Sequence, residues 1–537
     1  MKFSLQNRAA QSSIWLYLLV SFVIMTSATA VDKKQETAED LSGGIKKIHL
    51  QAPQIPVMHR VDHNRSLALN FELNDNDKTA KGVKLRGIII SLEGTTRLSD
   101  IDSVVLATQV GGVHANTHEL GRSKRMKNGK MLIRTEHMLN PKESIWISPI
   151  LKKGASLDHY IQTKIVKVIY SYGDSEKTYT YKPGPNSSQR QKIGYSIMQS
   201  GDLKSFMFRI PGIVTTKAGT LLAVTDIRYP KNARDLPEDM DVGISRSSDN
   251  GQSWTPVEVI MDMGPGKKHG VGDPTILVEK KTGRIFVAAL YSLGNRGWFG
   301  SGPGMTAKET GQLMFVHSDD DGKSWTKPYS ITPQVKDPKW HLLFNGPGRG
   351  IQLRNGTLVM PAQFKDENKI AHSTIIYSKD HGKTWRIGTG VRANTSEAQV
   401  AQLKDGSILI TARDENKPGK RAFYVSKDLG KTWTPHKADK KLSCPTCQAS
   451  VLKLRHKRLK KDLLIFANPA RPGRRRYDLT LSISKDEGET WKKTIPVDER
   501  GLLGYSCMTI TKKGRYLGLF YEGTGQMYFV RFKISEL

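Results

Sequence analysis

The sequence predicts an all-β protein: a six-bladed β-propeller forms its larger, C-terminal part, and a β accessory domain precedes it. Three observations predict this organisation. An eight-residue motif recurs five times in the C-terminal part. Short runs typical of strands fill the chain, and no long helical period competes with them. The repeat identifies the architecture, because motifs that return at such intervals are typical of propellers.

The repeated motif is Ser-x-Asp-x-Gly-x-Ser/Thr-Trp, which suits a hairpin. Its Asp can accept hydrogen bonds from backbone amides across the turn, and its Gly can adopt positive φ. The Trp is expected to fill the gap to the neighbouring unit. The aspartates are 71, 60, 48 and 58 residues apart, so residues 192–537 accommodate about six four-stranded blades. The five copies begin at Ser247, Ser318, Ser378, Ser426 and Ser484.

The chain before the repeats is also β-rich but carries no repeat. Residues 181–191 are rich in Pro, Gly, Ser and Asn, which is typical of a linker. We therefore predict an N-terminal β accessory domain over residues 31–190 and the propeller over residues 191–537. The strand-like runs of the first domain are 82–92, 103–110 and 161–172.

The first thirty residues have the pattern of a signal peptide. Lys2 and Arg8 precede an apolar run over residues 14–25, and residues 27–30 (Ser-Ala-Thr-Ala) suit a signal peptidase. An uncleaved anchor is the alternative, although the apolar run is shorter than the ~20 residues of an ordinary membrane span. We predict cleavage after residue 30 and export: secreted, periplasmic or at the cell surface. No other stretch is apolar enough to cross a bilayer, so the mature chain is predicted to have no transmembrane segment.

The formal net charge is +32, which would suit nucleic acid, anionic glycans or membrane surfaces as partners. The Lys and Arg residues are spread along the whole chain, and no nucleic-acid motif accompanies them. We interpret them as a basic solvated surface and expect no nucleic-acid partner. The three cysteines exclude a disulfide framework. Cys444 and Cys447 form half a zinc motif without a second half, so a local disulfide or a loop staple is expected, and no metal.

A second motif, Phe208-Arg209-Ile210-Pro211, lies upstream of the first repeat. It resembles the signature that opens the exo-sialidase domains of bacteria, and the repeats resemble the Asp boxes of that superfamily. The resemblance covers roughly residues 195–537. It implies a glycoside hydrolase that removes terminal sialic acid from glycoproteins, glycolipids or oligosaccharides without a cofactor. The N-terminal domain resembles the β-sandwich accessory domains of some of these enzymes.

Sialic acid makes particular demands on such an enzyme. Its carboxylate is attached to the carbon at which the glycosidic bond breaks, and arginine guanidinium groups can bind two carboxylate oxygens in one plane. A carboxylate nucleophile would be repelled by this anion. A tyrosine activated by a glutamate avoids the repulsion, and sialidases use a Tyr nucleophile. A further carboxylic acid has to protonate the leaving oxygen.

The resemblance implies candidates for each role, in the order of the family. The Tyr-Ser pair at Tyr505 resembles the nucleophile, Glu397 its partner, and Asp235 the acid/base. Glu238 and Asp239 compete for the last role. Arginines are expected around the carboxylate, with Arg474 and Arg475 as alternatives to the third of them. The three arginines are Arg209, Arg413 and Arg476.

Further positions are implied with less specific motifs. Arg228 and Asp273 resemble residues near the 4-position of the sugar, and a turn or an ion pair is their structural alternative. Trp298 and Trp340 either line the pocket or pack between blades. A rival interpretation of the whole chain is a non-catalytic Asp-box propeller that binds glycans or proteins. A paired nucleophile and an acid would have no use in such a receptor.

Overall fold

The computed structural model divides into two compact units. The predicted signal peptide (residues 1–30) lies outside the described residues and stays a prediction. The main change from the first unit to the second falls between Arg190 and Gln191. The first unit comprises the described residues up to Pro53, Asp62–Leu151 and Gln162–Arg190, and the second comprises Gln54–Val61, Lys152–Ile161 and Gln191–Leu537. The described residues are 35–38 and 44–537, apart from 75–81, 110–116, 141–142, 183, 185–186, 232–234, 267, 418 and 474.

The first unit contains two antiparallel sheets. Their strand orders are β1-β2-β4-β9-β6-β7 and β12-β11-β5-β8. Along β5 the buried Val83 and Leu85 alternate with the less buried Lys84 and Arg86, as in strands with one face towards a core. Two such sheets are what a β-sandwich-like domain requires. The strands up to residue 180 are β1 Gln35–Ala38, β2 Ile45–Gln51, β3 Val57–His59, β4 Leu67–Leu73, β5 Val83–Ser91, β6 Ile101–Gln109, β7 Thr117–Ser123, β8 Lys130–Met138, β9 Ser144–Leu151, β10 Tyr160–Gln162, β11 Lys164–Tyr172 and β12 Ser175–Thr180.

The second unit contains a longer series of short strands and one helical turn. Many of its strands are buried along their whole length, which is typical of sheets covered on both faces. The elements are β13 Arg190–Met198, β14 Met207–Thr215, β15 Leu221–Arg228, β16 Met240–Ser247, β17 Glu258–Met261, β18 Val271–Val278, β19 Ile285–Tyr291, β20 Gln312–Ser318, β21 Tyr329–Ser330, α1 Thr332–Val335, β22 Leu342–Asn345, β23 Gly348–Arg349, β24 Ile351–Gln352, β25 Leu358–Lys365, β26 Ala371–Ser378, β27 Arg386–Ile387, β28 Thr395–Gln402, β29 Ile408–Asp414, β30 Ala422–Ser426, β31 Thr434–Pro435, β32 Ser450–His456, β33 Lys461–Pro469, β34 Leu479–Ser484, β35 Lys493–Asp498, β36 Ser506–Ile510, β37 Tyr516–Glu522 and β38 Met527–Lys533.

These strands form the blades of a β-propeller, and the all-β prediction is confirmed. Four blades have the orders β14-β15-β16-β17, β18-β19-β20-β21, β28-β29-β30-β31 and β32-β33-β34-β35. One blade is built on β25-β26-β27, with β22 and β24 both paired to β25. The remaining sheet has the order β36-β37-β38-β13-β10, with β3 also paired to β13, and β36, β37, β38 and β13 form its blade. The ring is continuous, because β14 contacts both β18 and β36. The sheets therefore agree with the six predicted blades.

The Asp boxes lie between the third and fourth strands of their blades. In the box between β26 and β27, the Asp380 carboxylate accepts hydrogen bonds from the amide (3.0 Å) and the hydroxyl (2.5 Å) of Thr384. The amide of Gly382 donates to the Ser378 hydroxyl at 2.8 Å, with the glycine at φ +86°. The local network thus follows the sequence interpretation of the motif.

The tryptophan of this box fills the gap to the neighbouring blade. Trp385 is only 3% exposed, and its ring centroid lies 5.9 Å from that of Phe286 and 5.2 Å from that of Phe315. Both phenylalanines belong to the preceding blade. Aromatic contacts of this kind stabilise the interface between two sheets.

Closure of the ring explains why five boxes accompany six blades. The fourth strand of the last blade is β13, which precedes the first blade in the sequence and pairs antiparallel with β38. The third and fourth strands of that blade are therefore far apart in sequence, and no hairpin joins them. A box can occur only where such a hairpin exists.

We predict that Asp380→Ala lowers stability by about 1 kcal/mol, because several turn donors lose their acceptor and water replaces it only in part. Hydrogen bonds from Thr384 and Ser378 outweigh the effect of burial and lower the pKa of Asp380 to about 2, from an ordinary 3.8. Stabilisation by the charged form is therefore complete above pH 4 and is lost as the pH falls towards 2. Thermal unfolding at several pH values tests this, with the exposed Lys383→Ala as the control. A destabilisation equal at pH 7 and pH 2.5 would contradict the assignment.

Candidate active site

The candidate catalytic and binding side chains lie on one face of the propeller. The first, inner strand of a blade is antiparallel to the second strand. The inner strand therefore begins at the same end of the blade at which the second strand ends. Three inner strands shift register there, between Arg209 and Gly212, Gly272 and Thr275, and Thr395 and Ala398. β-Bulges change the direction of side chains and are frequent beside functional sites. The shifts occur at or beside three sequence candidates: Arg209, Asp273 and Glu397.

A tyrosine and a glutamate form the centre of this face. The Tyr505 hydroxyl donates a short hydrogen bond to Glu397 Oε1, and Arg413 Nη1 lies 3.0 Å from Glu397 Oε2 and 3.3 Å from the Tyr505 oxygen. Tyr505 is 5% exposed. Burial and the Glu397 charge raise the pKa of Tyr505 well above its ordinary value, and the Arg413 charge opposes them. The hydroxyl is therefore protonated and donates to the carboxylate.

Two more arginines face the ring of the same tyrosine. The guanidinium carbon of Arg209 lies 5.1 Å from the Tyr505 ring centroid, and that of Arg476 lies 5.5 Å from it. Arg476 is held by the carbonyl oxygens of Leu503 (2.6 Å) and Thr446 (3.4 Å). The three predicted arginines are thus brought together around Tyr505, and a planar anion placed among them would be bound by several guanidinium donors.

Sequence reasoning missed the buried carboxylate that holds this arrangement. Glu522 is fully buried, and its Oε1 accepts from Arg209 Nε (3.1 Å) and from the amide of Ile210 (2.9 Å). Its Oε2 accepts from the amide of Tyr505 at 2.9 Å. The available signal was an acidic residue that ends the otherwise apolar strand β37.

Asp235 lies among cations at the rim of the site. Its Oδ1 is 2.7 Å from Arg228 Nη1 and 3.5 Å from Arg209 Nη1, while its side chain remains 74% exposed. Partial desolvation raises the pKa of Asp235, but the Arg228 and Arg209 charges lower it more, so it lies below its ordinary value. Without a ligand, the carboxyl group is ionised.

A second missed acid supports this corner. Asp226 is buried and accepts from Arg228 Nη2 at 2.8 Å and from the amide of Asp273 at 2.8 Å. Burial raises the pKa of Asp226 to about 6 against the opposing charge of Arg228. Desolvation, together with the charges of Asp226 and Asp235, raises the pKa of Asp273 well above its ordinary value. Arg228 therefore borders the site through its ion pairs with Asp226 and Asp235, and Asp273 lies beside it at the register shift of β18.

The described residues that the sequence offered as alternatives for the acid/base and for the third arginine lie away from Tyr505. Asp239 accepts from the amide of Gly266 at 3.2 Å, and Glu238 is 7% exposed. Arg475 is exposed, and Arg474 lies outside the described residues. Within the described part of this segment, Arg476 is the arginine directed at Tyr505.

The cysteine motif supports the site without a disulfide. Cys444 and Cys447 are free thiols in the structure, so the local disulfide is not formed. Both are buried in one apolar cluster with Ile210 and Tyr505. Burial raises the pKa of Cys447 to about 12, which keeps the thiol protonated. The loop of this motif also supplies the Thr446 carbonyl that binds Arg476.

The two candidate tryptophans have different surroundings. Trp298 packs against the buried cluster of Leu290, Leu342 and Phe344 and also lines a surface pocket. Trp340 stacks on Phe364, with 3.9 Å between the ring centroids. Trp298 can therefore combine packing with a place at a surface, whereas Trp340 has the packing role.

Two features are absent from the described residues. No group of three or more His, Cys, Asp or Glu residues within them is arranged to hold a metal ion. In the same part of the chain, no helix has the length and the apolar character that crossing a membrane requires.

Comparisons with known proteins show which family the chain resembles. The model of the BNR repeat-like domain matches residues 233–518. A sialidase of Bacteroides fragilis (strain YCH46) is 37% identical over 503 residues, which are 89% of this chain and 91% of that protein. A sialidase of Micromonospora viridifaciens is 32% identical over 60% of this chain and 50% of its own length.

Solved structures give the same result. The Hadza microbial sialidase Hz136 superposes with a TM-score of 0.81 at 32% identity, covering 91% of this chain and 99% of that one. The Trypanosoma rangeli sialidase in complex with 2,3-difluorosialic acid has a TM-score of 0.51 at 21% identity, covering 65% and 56% of the two chains. The second likeness concerns the fold alone.

We predict that Glu522→Gln destabilises the protein by about 3 kcal/mol, because Arg209 loses its buried counter-charge and one buried donor must face the new amide group. Thermal and urea unfolding measure the loss. Glu536→Gln, at an exposed position near the C-terminus, is the control. Equal stability of the two variants would show that the Glu522 charge does not hold the site.

Proposed function

The chain belongs to the sialidase family of glycoside hydrolases, and from this premise we propose that it is an exo-α-sialidase that hydrolyses terminal sialic acid from glycans with net retention of configuration. The observation that carries the proposal is the Tyr505 hydroxyl bonded to Glu397 beneath three arginines. A receptor needs no such pair. Sialylated glycoproteins, glycolipids and oligosaccharides are the proposed substrates.

Carboxylate binding is the first step of the proposed mechanism. The sugar carboxylate lies among the guanidinium groups of Arg209, Arg413 and Arg476, whose planar donors suit its oxygens. The anomeric carbon carries that carboxylate, so it is held close to the Tyr505 hydroxyl. Arg228 and Asp273 border the same face and are proposed to contact the hydroxyl groups of the sugar.

Covalent catalysis follows at Tyr505. Its oxygen attacks the anomeric carbon while Glu397 takes the phenol proton, since an unassisted tyrosine near pKa 10 is almost wholly protonated at neutral pH. The bond to the leaving glycan breaks, and Asp235 gives its proton to the leaving oxygen. In the second step, Asp235 takes a proton from water, the water oxygen attacks the same carbon, and Tyr505 leaves with the proton returned by Glu397.

The ionised state of free Asp235 fits this sequence of events. A bound substrate carboxylate pairs with Arg209 and brings a negative charge close to Asp235. Both effects favour the protonated carboxyl group and raise its pKa on binding. Binding of the substrate thus favours the protonated form of Asp235, which the first step requires.

We also propose that the protein is exported, because residues 1–30 combine a basic start, an apolar run and a small-residue cleavage pattern. Determination of the N-terminus of the mature protein tests this proposal. A mature chain that still begins at Met1 would contradict it.

Hydrolysis of a 4-methylumbelliferyl sialoside tests the activity, and we expect it to persist in chelator because side chains supply every proposed group. Proton NMR of the first sugar released, read before mutarotation, should show the α-anomer from an α-sialoside. Initial release of the β-anomer would contradict a Tyr505 intermediate. Folded protein without turnover would favour the non-catalytic binding propeller.

Leaving-group dependence separates Asp235 from the nucleophile pair. We expect Asp235→Ala to reduce kcat about 10²-fold or more on sialyl-oligosaccharides and far less on activated aryl sialosides, which need little protonation. Tyr505→Phe and Glu397→Gln should reduce turnover of both substrates. Equal losses on both substrates for Asp235→Ala would remove its role as the acid.

A further inference from the structure

A pocket lies beside the loop that carries Asp235. Residues 292–311 connect β19 to β20 and begin on the face of the site, where Tyr291 pairs with Val271. Leu236, which follows Asp235, packs on the same apolar cluster as Trp298. A Cβ at Gly297 would lie 3.3 Å from the Leu236 carbonyl oxygen, so the two loops touch. The pocket formed by this segment therefore adjoins the acid.

The leaving glycan begins close to this pocket. The proton of Asp235 goes to the leaving oxygen, so that oxygen lies within hydrogen-bond reach of the carboxyl group. The first sugar of the leaving glycan consequently begins beside Asp235. The surface next to Leu236 is then the neighbouring surface onto which the leaving glycan can extend.

An exposed aromatic ring stands at this pocket. Phe299 is 90% exposed, whereas the next most exposed large apolar side chain among the described residues, Leu203, is 44% exposed. Lys365 Nζ lies 4.1 Å from the Trp298 ring centroid and 5.4 Å from that of Phe299. A ring held in solvent beside a cation offers an apolar surface to a sugar ring and a positive charge to its substituents.

The charges at the pocket are predominantly positive. Arg296, Lys365 and Lys369 line it, and none of them forms an ion pair with a carboxylate within the described part of the chain. Arg296 Nε donates to the carbonyl of Lys308 at 2.7 Å, and Lys365 donates to that of Trp298 at 2.7 Å. Neutral carbonyl groups orient Arg296 and Lys365, and the Glu415 charge acts on Lys365 without forming an ion pair with it.

The acidic residue of the lining does not balance these cations. The Glu309 carboxylate accepts from the amides of Met305 (3.0 Å) and Thr306 (2.9 Å) and from the Thr306 hydroxyl (2.8 Å). These bonds hold the pKa of Glu309 below its ordinary value and keep the group within its own turn. A negatively charged ligand would therefore meet an excess of positive charge in the lining.

We infer that this pocket, which we call the Phe299 pocket (Arg296, Trp298, Phe299, His341, Lys365 and Lys369), binds an anionic group on the leaving glycan. Two sources share this chemistry: a sulfate ester on the glycan, and the carboxylate of a second sialic acid. The inference rests on the proposed sialidase activity and adds that sialosides with an acidic leaving glycan are preferred substrates.

The test compares kcat/KM for three substrates: 3′-sialyl-N-acetyllactosamine, its 6-sulfated form and an α2,8-linked disialyl oligosaccharide. At low ionic strength we expect kcat/KM for the preferred substrate with an acidic leaving glycan to exceed that for 3′-sialyl-N-acetyllactosamine, whose leaving glycan is neutral, about two- to fivefold, the scale of one accessible ion pair. High salt should bring the ratio towards one. Preference for the sulfated form alone assigns a sulfate site, and preference for the disialyl form alone assigns a carboxylate site.

Substitutions in the Phe299 pocket test whether the substrate preference depends on this pocket. Lys369→Gln removes an exposed charge and should bring the ratio close to one, whereas Lys383→Gln removes an equally exposed charge in an Asp box and should leave it unchanged. Phe299→Ala should lower kcat/KM for glycan substrates relative to the aryl sialoside. Equal rates on all three glycans, or a ratio that survives Lys369→Gln, would overturn the inference. Absence of release from every sialoside would refute the proposed activity instead.

Discussion

The buried carboxylate of Glu522 joins the first and the last blade at the site. It binds Arg209 and the Ile210 amide of the first blade and the Tyr505 amide just before the last inner strand. The inner strands β14 and β36, which meet where the ring closes, are thereby held by the same carboxylate. The closing strand β13 comes from the other end of the unit, so closure and the geometry of the site depend on each other.

The electrostatic balance of the site follows from this anchor. Three guanidinium groups surround Tyr505. Arg413 pairs with Glu397 and Glu415, and Arg209 pairs with the buried Glu522. Arg476 is held by carbonyl oxygens, so its charge is left for a ligand carboxylate. Asp235 forms ion pairs with Arg228 and with Arg209, one of the three arginines. Binding of the carboxylate and preparation of the acid are therefore linked by one set of cations.

The sequence carried most of the fold because its information is local. Each Asp box closes a hairpin with bonds inside a few residues, as in Ser378, Asp380 and Thr384, and the distance between boxes sets the size of a blade. The site candidates were identifiable for a related reason: Arg209, Glu397 and Tyr505 stand in motifs that resemble those of a known family. Glu522 and Asp226 escaped notice, since a single acid at the end of an apolar strand has no motif around it.

The sequence by itself determined the all-β class, the propeller and the chemical types available for the site. The tertiary structure decided which side chains meet. It selected Arg476 over the exposed Arg475, left Cys444 and Cys447 as thiols, and brought Phe299 and Lys365 together at one pocket. Contacts of this kind join residues from different blades or loops, and their geometry depends on bulges and on ring closure. Local sequence cannot encode such distances, because they arise only when all the sheets pack around one axis.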